Sequence, residues 1–258
     1  MPTLALIALL AAGPARGASD GRTSGFERSL NEIAGALADG GATIDCASPS
    51  AWQRLAIRNG FDPETTWGTT PLEEVSGVVR AVGPSNLAPR TCAAAVAFAA
   101  KPTEMGSRIC PHGTTPRWTA ANTARKGVPV ALFGECDGWA TRLVAVHVIT
   151  HETMHLANVI DEASADCLAM QVDAFVATKL GASPTFGRSL ADEYWRLYYP
   201  EQPASYRSAE CRPGGALDLF PQREGWPTPS RYPASLRPAL AAFVASATSR
   251  GNSEPESS

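Results

Sequence analysis

Apolar positions along the chain fall into a few periodic segments separated by stretches with no period. Leu4 to Ala12 form an unbroken apolar run that Pro14 and the small residues Ala15 to Ala18 terminate. Phe26, Leu30, Ile33 and Leu37 then recur at helical spacing until Gly40-Gly41, which predicts an amphipathic helix. Thr43 to Cys46 reads as a short extended piece, and Ser50 caps a predicted helix over Ala51–Ile57 that stops at Asn59-Gly60. A β segment is expected around Val75–Val82, followed by an alanine-rich helix that opens at Pro89 and runs to about Ala100. Lys101–Gly127 lacks a period and reads as a long surface loop. Val128–Phe133 reads as a strand that Pro129 confines to an edge. Two long apolar helices are predicted over Trp139–Ala157 and Glu162–Leu180, the second closed by Gly181. Tyr194–Trp226 is aromatic, Arg- and Pro-rich, and reads as ordered loops on the helices; Ala247–Ser258 is polar and expected to be disordered. The pattern gives a mainly α fold, α+β with a minor sheet, in a single domain over residues 19–246.

Composition narrows the class. With 44% hydrophobic residues in 258, the chain carries enough apolar material for a sizeable core. A net charge of -3 without a basic block argues against nucleic acid as a partner. No apolar run approaches the roughly 18 residues of a membrane span, and a monomer is expected. The opening apolar run with its small-residue end reads as a signal peptide over residues 1–18, which places the protein outside the cell. Six cysteines occur singly, at 46, 92, 110, 136, 167 and 211, with no C-x-x-C pair. In a secreted chain these read as disulfides rather than a zinc ribbon, and their spacing does not choose among the pairings.

The chemistry concentrates in Val146–Gln171. His151-Glu152-Thr153-Met154-His155 is an H-E-x-x-H motif in a chain with four histidines. Residues four apart on a helix stand about 5–6 Å from each other, so both imidazoles reach one metal ion and Glu152 is placed as the base. The flanking residues are uncharged, which suits a buried helix. His147 continues the four-residue ladder but lies about 12 Å along the axis from His155, so it reads as a core histidine or a support for a ligand. Asn158 suits a left-handed turn at the helix end, which would fold Asp161 or Glu162 back toward the metal.

On these residues the chain resembles the zincin metallopeptidases in two alignments. As H-E-x-x-H-x-x-G-x-x-H/D it is similar to a metzincin, with Asn158 at the glycine position and Asp161 as third ligand. On Glu162-Ala163-Ser164-Ala165-Asp166 it is similar to the E-x-x-x-D helix of gluzincins, with Glu162 as third ligand and Asp166 behind a ligand histidine. The only later methionine, Met170, falls inside a helical pattern rather than a methionine turn, so the gluzincin alignment is preferred, with Asp161 in reserve. The run HETMHLANVIDEASADCLAMQ, with Tyr206-Arg207-Ser208-Ala209-Glu210-Cys211 and Gly214-Gly215 downstream, also resembles secreted actinobacterial proteins known only as zinc metalloproteins. The resemblance implies a disulfide-stabilised zincin-like scaffold carrying one Zn2+ on His151, His155 and Glu162. Peptide-bond hydrolysis would use Glu152 as general base, and Tyr206, Arg207 or His112 would steady the oxyanion; Tyr206 is preferred. Peptides, proteins and cell-wall peptides are the expected substrates. The alternative is a non-catalytic metal-binding or cell-surface binding module on the same scaffold, or a secreted domain without metal.

Overall fold

The computed structural model describes residues 25–38, 41–102 and 137–251. The expected signal peptide, the strand at 128–133, most of the loop before it, Cys110, His112 and Cys136 lie outside the described residues.

The elements run α1 (Gly25–Leu37), β1 (Ile44–Cys46), α2 (Pro49–Asn59), β2 (Gly68–Thr69), β3 (Leu72–Val75), β4 (Val78–Ala81), β5 (Ser85–Leu87) and α3 (Pro89–Ala100). After the gap come α4 (Asp137–Leu156), α5 (Glu162–Lys179), α6 (Pro184–Leu197) and α7 (Arg237–Gly251). The fold is mainly helical with a small sheet. No helix among the described residues is long and apolar enough to cross a membrane.

Helix α5 is the centre of the core. From Ala165 to Ala174 every side chain is buried, so the helix is covered on all sides and shows no polar stripe. Helix α4 packs along it on one side and α6 on another. Gly187 of α6 allows that approach, because a Cβ there would stand 2.7 Å from the Ala174 carbonyl oxygen. The three-stranded sheet has the order β1-β5-β2, with β5 parallel to β1 and antiparallel to β2. It lies against α4, and β2 is an edge strand. The β3–β4 hairpin stands apart with almost every residue exposed, turned by Ser76 and Gly77 at positive φ.

Among the described residues two disulfides close. Cys46–Cys92 ties β1 to α3, and Cys167–Cys211 ties α5 to the loop after α6.

Several expectations need correction. Helix α2 is capped by Ser48, whose hydroxyl accepts from the Ala51 N–H, with Pro49 as the first helical residue rather than Ser50 as the cap. The expected single β segment is the second strand of a hairpin. Tyr194 belongs to α6, capped by Ser183 and opened by Pro184, so the aromatic loops begin only after Leu197. Helix α7 continues through residues 247–251, the start of the segment expected to be disordered, because a helix anchored at buried Leu240 extends at little cost.

Candidate metal centre

Helix α4 ends in a Schellman turn. Asn158 takes φ 65°, its N–H donates to the His155 carbonyl at 2.8 Å, and the Val159 N–H donates to the Met154 carbonyl at 3.0 Å. Asn tolerates this left-handed position better than most non-glycine residues. The turn has two results. It brings the Val159 carbonyl within 2.8 Å of His155 Nδ1. A carbonyl only accepts, so Nδ1 carries the proton and the Nε2 lone pair of His155 faces inward. It also returns the chain so that α5 starts beside α4, with Asp161 as its N-cap accepting from the Ser164 N–H at 2.8 Å. Asp161 is therefore engaged in capping, and Glu162, in the first turn, points at the histidines.

His151 Nε2 lies 3.1 Å from His155 Nε2 and 3.1 Å from Glu162 Oε2, and His155 Nε2 lies 3.5 Å from the same oxygen. Bonds of about 2.0–2.2 Å in a tetrahedral arrangement separate ligand atoms by about 3.3–3.6 Å. The triangle is thus close to the size one divalent ion requires. These three residues can hold a metal ion.

A second trio, His147, His151 and Asp166, also brings ligating atoms together. His147 Nε2 lies 2.9 Å from Asp166 Oδ1 and its Nδ1 lies 2.9 Å from Asp173 Oδ2. Both nitrogens face carboxylate acceptors, so both carry protons. Burial alone would lower the His147 pKa, but Asp173 and Asp166 outweigh it and hold the pKa up at about 9. The ring also stacks on Tyr194 at a centroid distance of 3.7 Å, a favourable seat for an imidazolium. With both nitrogens protonated His147 offers no lone pair to an ion, whereas the outer trio keeps one on His155 Nε2.

Asp166 links the two groups. Its Oδ1 lies 3.6 Å from His151 Nδ1, which has no hydrogen-bond partner and is fully buried. A metal on Nε2 leaves the proton on Nδ1, aimed at this carboxylate. Burial raises the Asp166 pKa, yet the two imidazoles pull it below its ordinary value. Likewise burial lowers that of His151, and Asp166 and Glu162 lift it to about 10. Glu162 is held well below the usual carboxylate range, its burial overcome by His151 and His155.

The Glu152 carboxylate is seated against the sheet side of the site. Thr70 Oγ1 donates to Glu152 Oε2 at 2.7 Å and stands 2.5 Å from Ser85 Oγ. Gly68 of β2 leaves the remaining space: a Cβ there would fall 2.6 Å from Glu152 Oε1. Burial raises the Glu152 pKa, opposed by the histidines and the Thr70 hydroxyl. A raised carboxylate pKa brings a base closer to neutral working pH.

A cleft adjoins the site at His151, with His147 and Asp166 also on its wall; it is bordered by Trp67 and Gly68 on the sheet side, Val148 and Glu152 of α4, and Tyr206 beyond α6. The Tyr206 ring lies 5.8 Å from that of His151. Burial, then the nearby Glu162, Glu152 and Asp166, raise its pKa, so its hydroxyl stays protonated and donates. Arg207 is exposed and does not line the cleft.

The structure thus brings together His151, Glu152, His155, Glu162, Asp166 and Tyr206, and leaves Asp161 and Arg207 aside. The sequence reading missed Gly68 and Ser85, which sit on strands too short to show a period, and Thr70, which directly follows β2. It also missed Asp173, although Asp166 and Asp173 are seven residues apart and so share a face of α5. No family model, curated protein or solved structure matches the chain.

Proposed function

We propose that the protein is a secreted zinc-dependent metallopeptidase of the zincin type. The observation that carries the reading is the convergence of His151, His155 and Glu162 at metal-ligand spacing, with Glu152 beside them at a cleft. Two imidazole nitrogens and one carboxylate oxygen, with His151 on the cleft wall and Glu162 partly exposed, suit zinc in a catalytic setting better than a closed structural site. The E-x-x-x-D relation supports the gluzincin alignment, since Asp166 stands behind ligand His151. The two disulfides suit an oxidising compartment.

Bound zinc supplies Lewis-acid polarisation of a carbonyl and makes water acidic enough to act at neutral pH. The chain supplies the rest. Glu152 accepts the proton of the attacking water and returns it to the leaving amine. Thr70 keeps that carboxylate from swinging. The Tyr206 hydroxyl is a donor for the oxyanion that forms on the attacked carbonyl. Edge strand β2 and the wall at Trp67 border the space a peptide would occupy.

The test combines elemental analysis with digestion of a mixed peptide library by wild type and Glu152→Gln. Both proteins are expected to hold about one zinc per chain, with hydrolysis lost only in the variant. Equal cleavage by both would refute the role of Glu152. Zinc in both with cleavage in neither would favour the non-catalytic module.

A further inference from the structure

We infer that His147 and Asp173 are positioning residues for the metal centre: through Asp166 they fix the orientation of ligand His151 and set how tightly the site holds its ion. The inference rests on the metal site proposed above and goes beyond it, because neither residue touches the ligand triangle.

Four groups form a continuous chain across the interface of α4 and α5. Asp173 Oδ2 meets His147 Nδ1 at 2.9 Å, His147 Nε2 meets Asp166 Oδ1 at 2.9 Å, and Asp166 Oδ1 faces His151 Nδ1 at 3.6 Å. His147, Asp166 and Asp173 are 3%, 2% and 0% exposed, so water contributes little to holding them. Tyr194 stacks on His147 and prevents the ring from tilting, and the Tyr194 hydroxyl is itself held by Gln202 at 2.6 Å. Asp166 therefore has one orientation, set from behind.

Such a cluster is a poor way to stabilise a fold. Well-packed apolar side chains in place of a buried ionic network are often as stable or more so, and apolar residues of both helices, among them Val146, Ile149, Ala165 and Met170, belong to the core around it. The cluster stands where an imidazole ligand needs a directed acceptor. Its charge also suits that place. A His147 imidazolium between two carboxylates leaves the cluster with a net negative charge, and Glu162 adds another. Together these neutralise a divalent ion held by two buried histidines. Unpartnered Asp166 Oδ2 and His151 Nδ1 are the atoms that would tighten when the ion arrives.

The experiment measures zinc affinity by chelator competition in the full chain, wild type beside His147→Gln and Asp173→Asn. The cobalt-loaded visible spectrum and the melting temperature of each metal-free protein are recorded in parallel. Each variant is expected to bind zinc about tenfold more weakly, with a shifted cobalt band. Unchanged affinity and spectrum in variants whose metal-free forms merely melt lower would overturn the inference and leave a purely structural network. Failure of wild type itself to take up zinc or cobalt would overturn the metal reading and this inference together, and is distinguishable because the wild type fails. Should the variants not fold, the ring N–H resonances of His147 in wild type decide. The chain from His147 through Asp166 to His151 requires them to move on zinc loading, and resonances that stay fixed would overturn the proposal.

Discussion

At the scale of single residues, proton competition governs the site. Burial disfavours a charged His151, but Asp166 and Glu162 raise its pKa to about 10. At neutral pH the metal-free site therefore holds a proton on His151 that an incoming ion must displace. Zinc uptake at pH 7 is expected to release about one proton, and affinity to rise about tenfold per pH unit until pH approaches 10. Calorimetry in buffers of different ionisation enthalpy counts that proton, and a binding heat independent of buffer would contradict it. Gly68 offers a second check. Its missing side chain is the space Glu152 occupies, so Gly68→Ala should displace the carboxylate and lower kcat for the proposed hydrolysis about a hundredfold while zinc content stays at the wild-type level. Equal kcat in the variant would mean that Glu152 is not held where the structure places it.

At the scale of elements, the turn between α4 and α5 organises the ligands, and Asp161 contributes by capping rather than coordination. Asp161→Ala is expected to cost about 1 kcal/mol of stability and to leave metal content unchanged, whereas Glu162→Ala should lose the metal with little effect on the cap. Loss of metal in Asp161→Ala at a temperature where the protein is folded would reverse the two roles. The ligand turn was legible in the sequence because each part has its own signal: a four-residue histidine spacing, an asparagine at the left-handed position and an acidic pair after it. The long apolar runs of α4 and α5 were legible for the same reason. Helix α6 was not, although Ser183-Pro184 marks its start as Ser48-Pro49 marks that of α2. In both, proline reads as a breaker unless it is recognised as the first helical residue behind a serine cap. The wall around Glu152 was illegible on different grounds. Strands of two and three residues have no alternation to detect, and the meeting of Thr70 and Ser85 with Glu152 is a long-range contact.

At the scale of the whole molecule, the ligands and the walls of the cleft are secured by different means. His151, His155 and Glu162 lie on two helices joined by one short turn, the histidines buried and Glu162 partly exposed. The walls hang from the covalent links: Cys46–Cys92 fastens β1, and through its pairing β5 and β2, to α3, while Cys167–Cys211 fastens the segment bearing Tyr206 to α5. Cys167 and Cys211 are 44 residues apart, for which loop-closure entropy gives roughly 4 kcal/mol, or about 8–16 °C in melting temperature for a domain of this size. The buried ions add a pH dependence. The metal-free fold gains from His147, whose pKa is raised to about 9 in the folded state. That contribution is complete below the ordinary histidine value of about 6.5 and disappears as pH rises through 9. Asp166 is depressed, so its contribution is present above the ordinary aspartate value and lost as pH falls. Metal-free stability should therefore peak between these limits, and the effect of removing the disulfide is best measured there. Cys167→Ala/Cys211→Ala should melt lower by the amount given and lose hydrolysis as Tyr206 loosens. Its zinc affinity at 25 °C should stay within a few-fold of wild type, because neither cysteine supports the ligand turn. Zinc affinity falling in step with activity would show that the covalent frame and the metal centre are one cooperative unit, contrary to the division of labour seen in the fold.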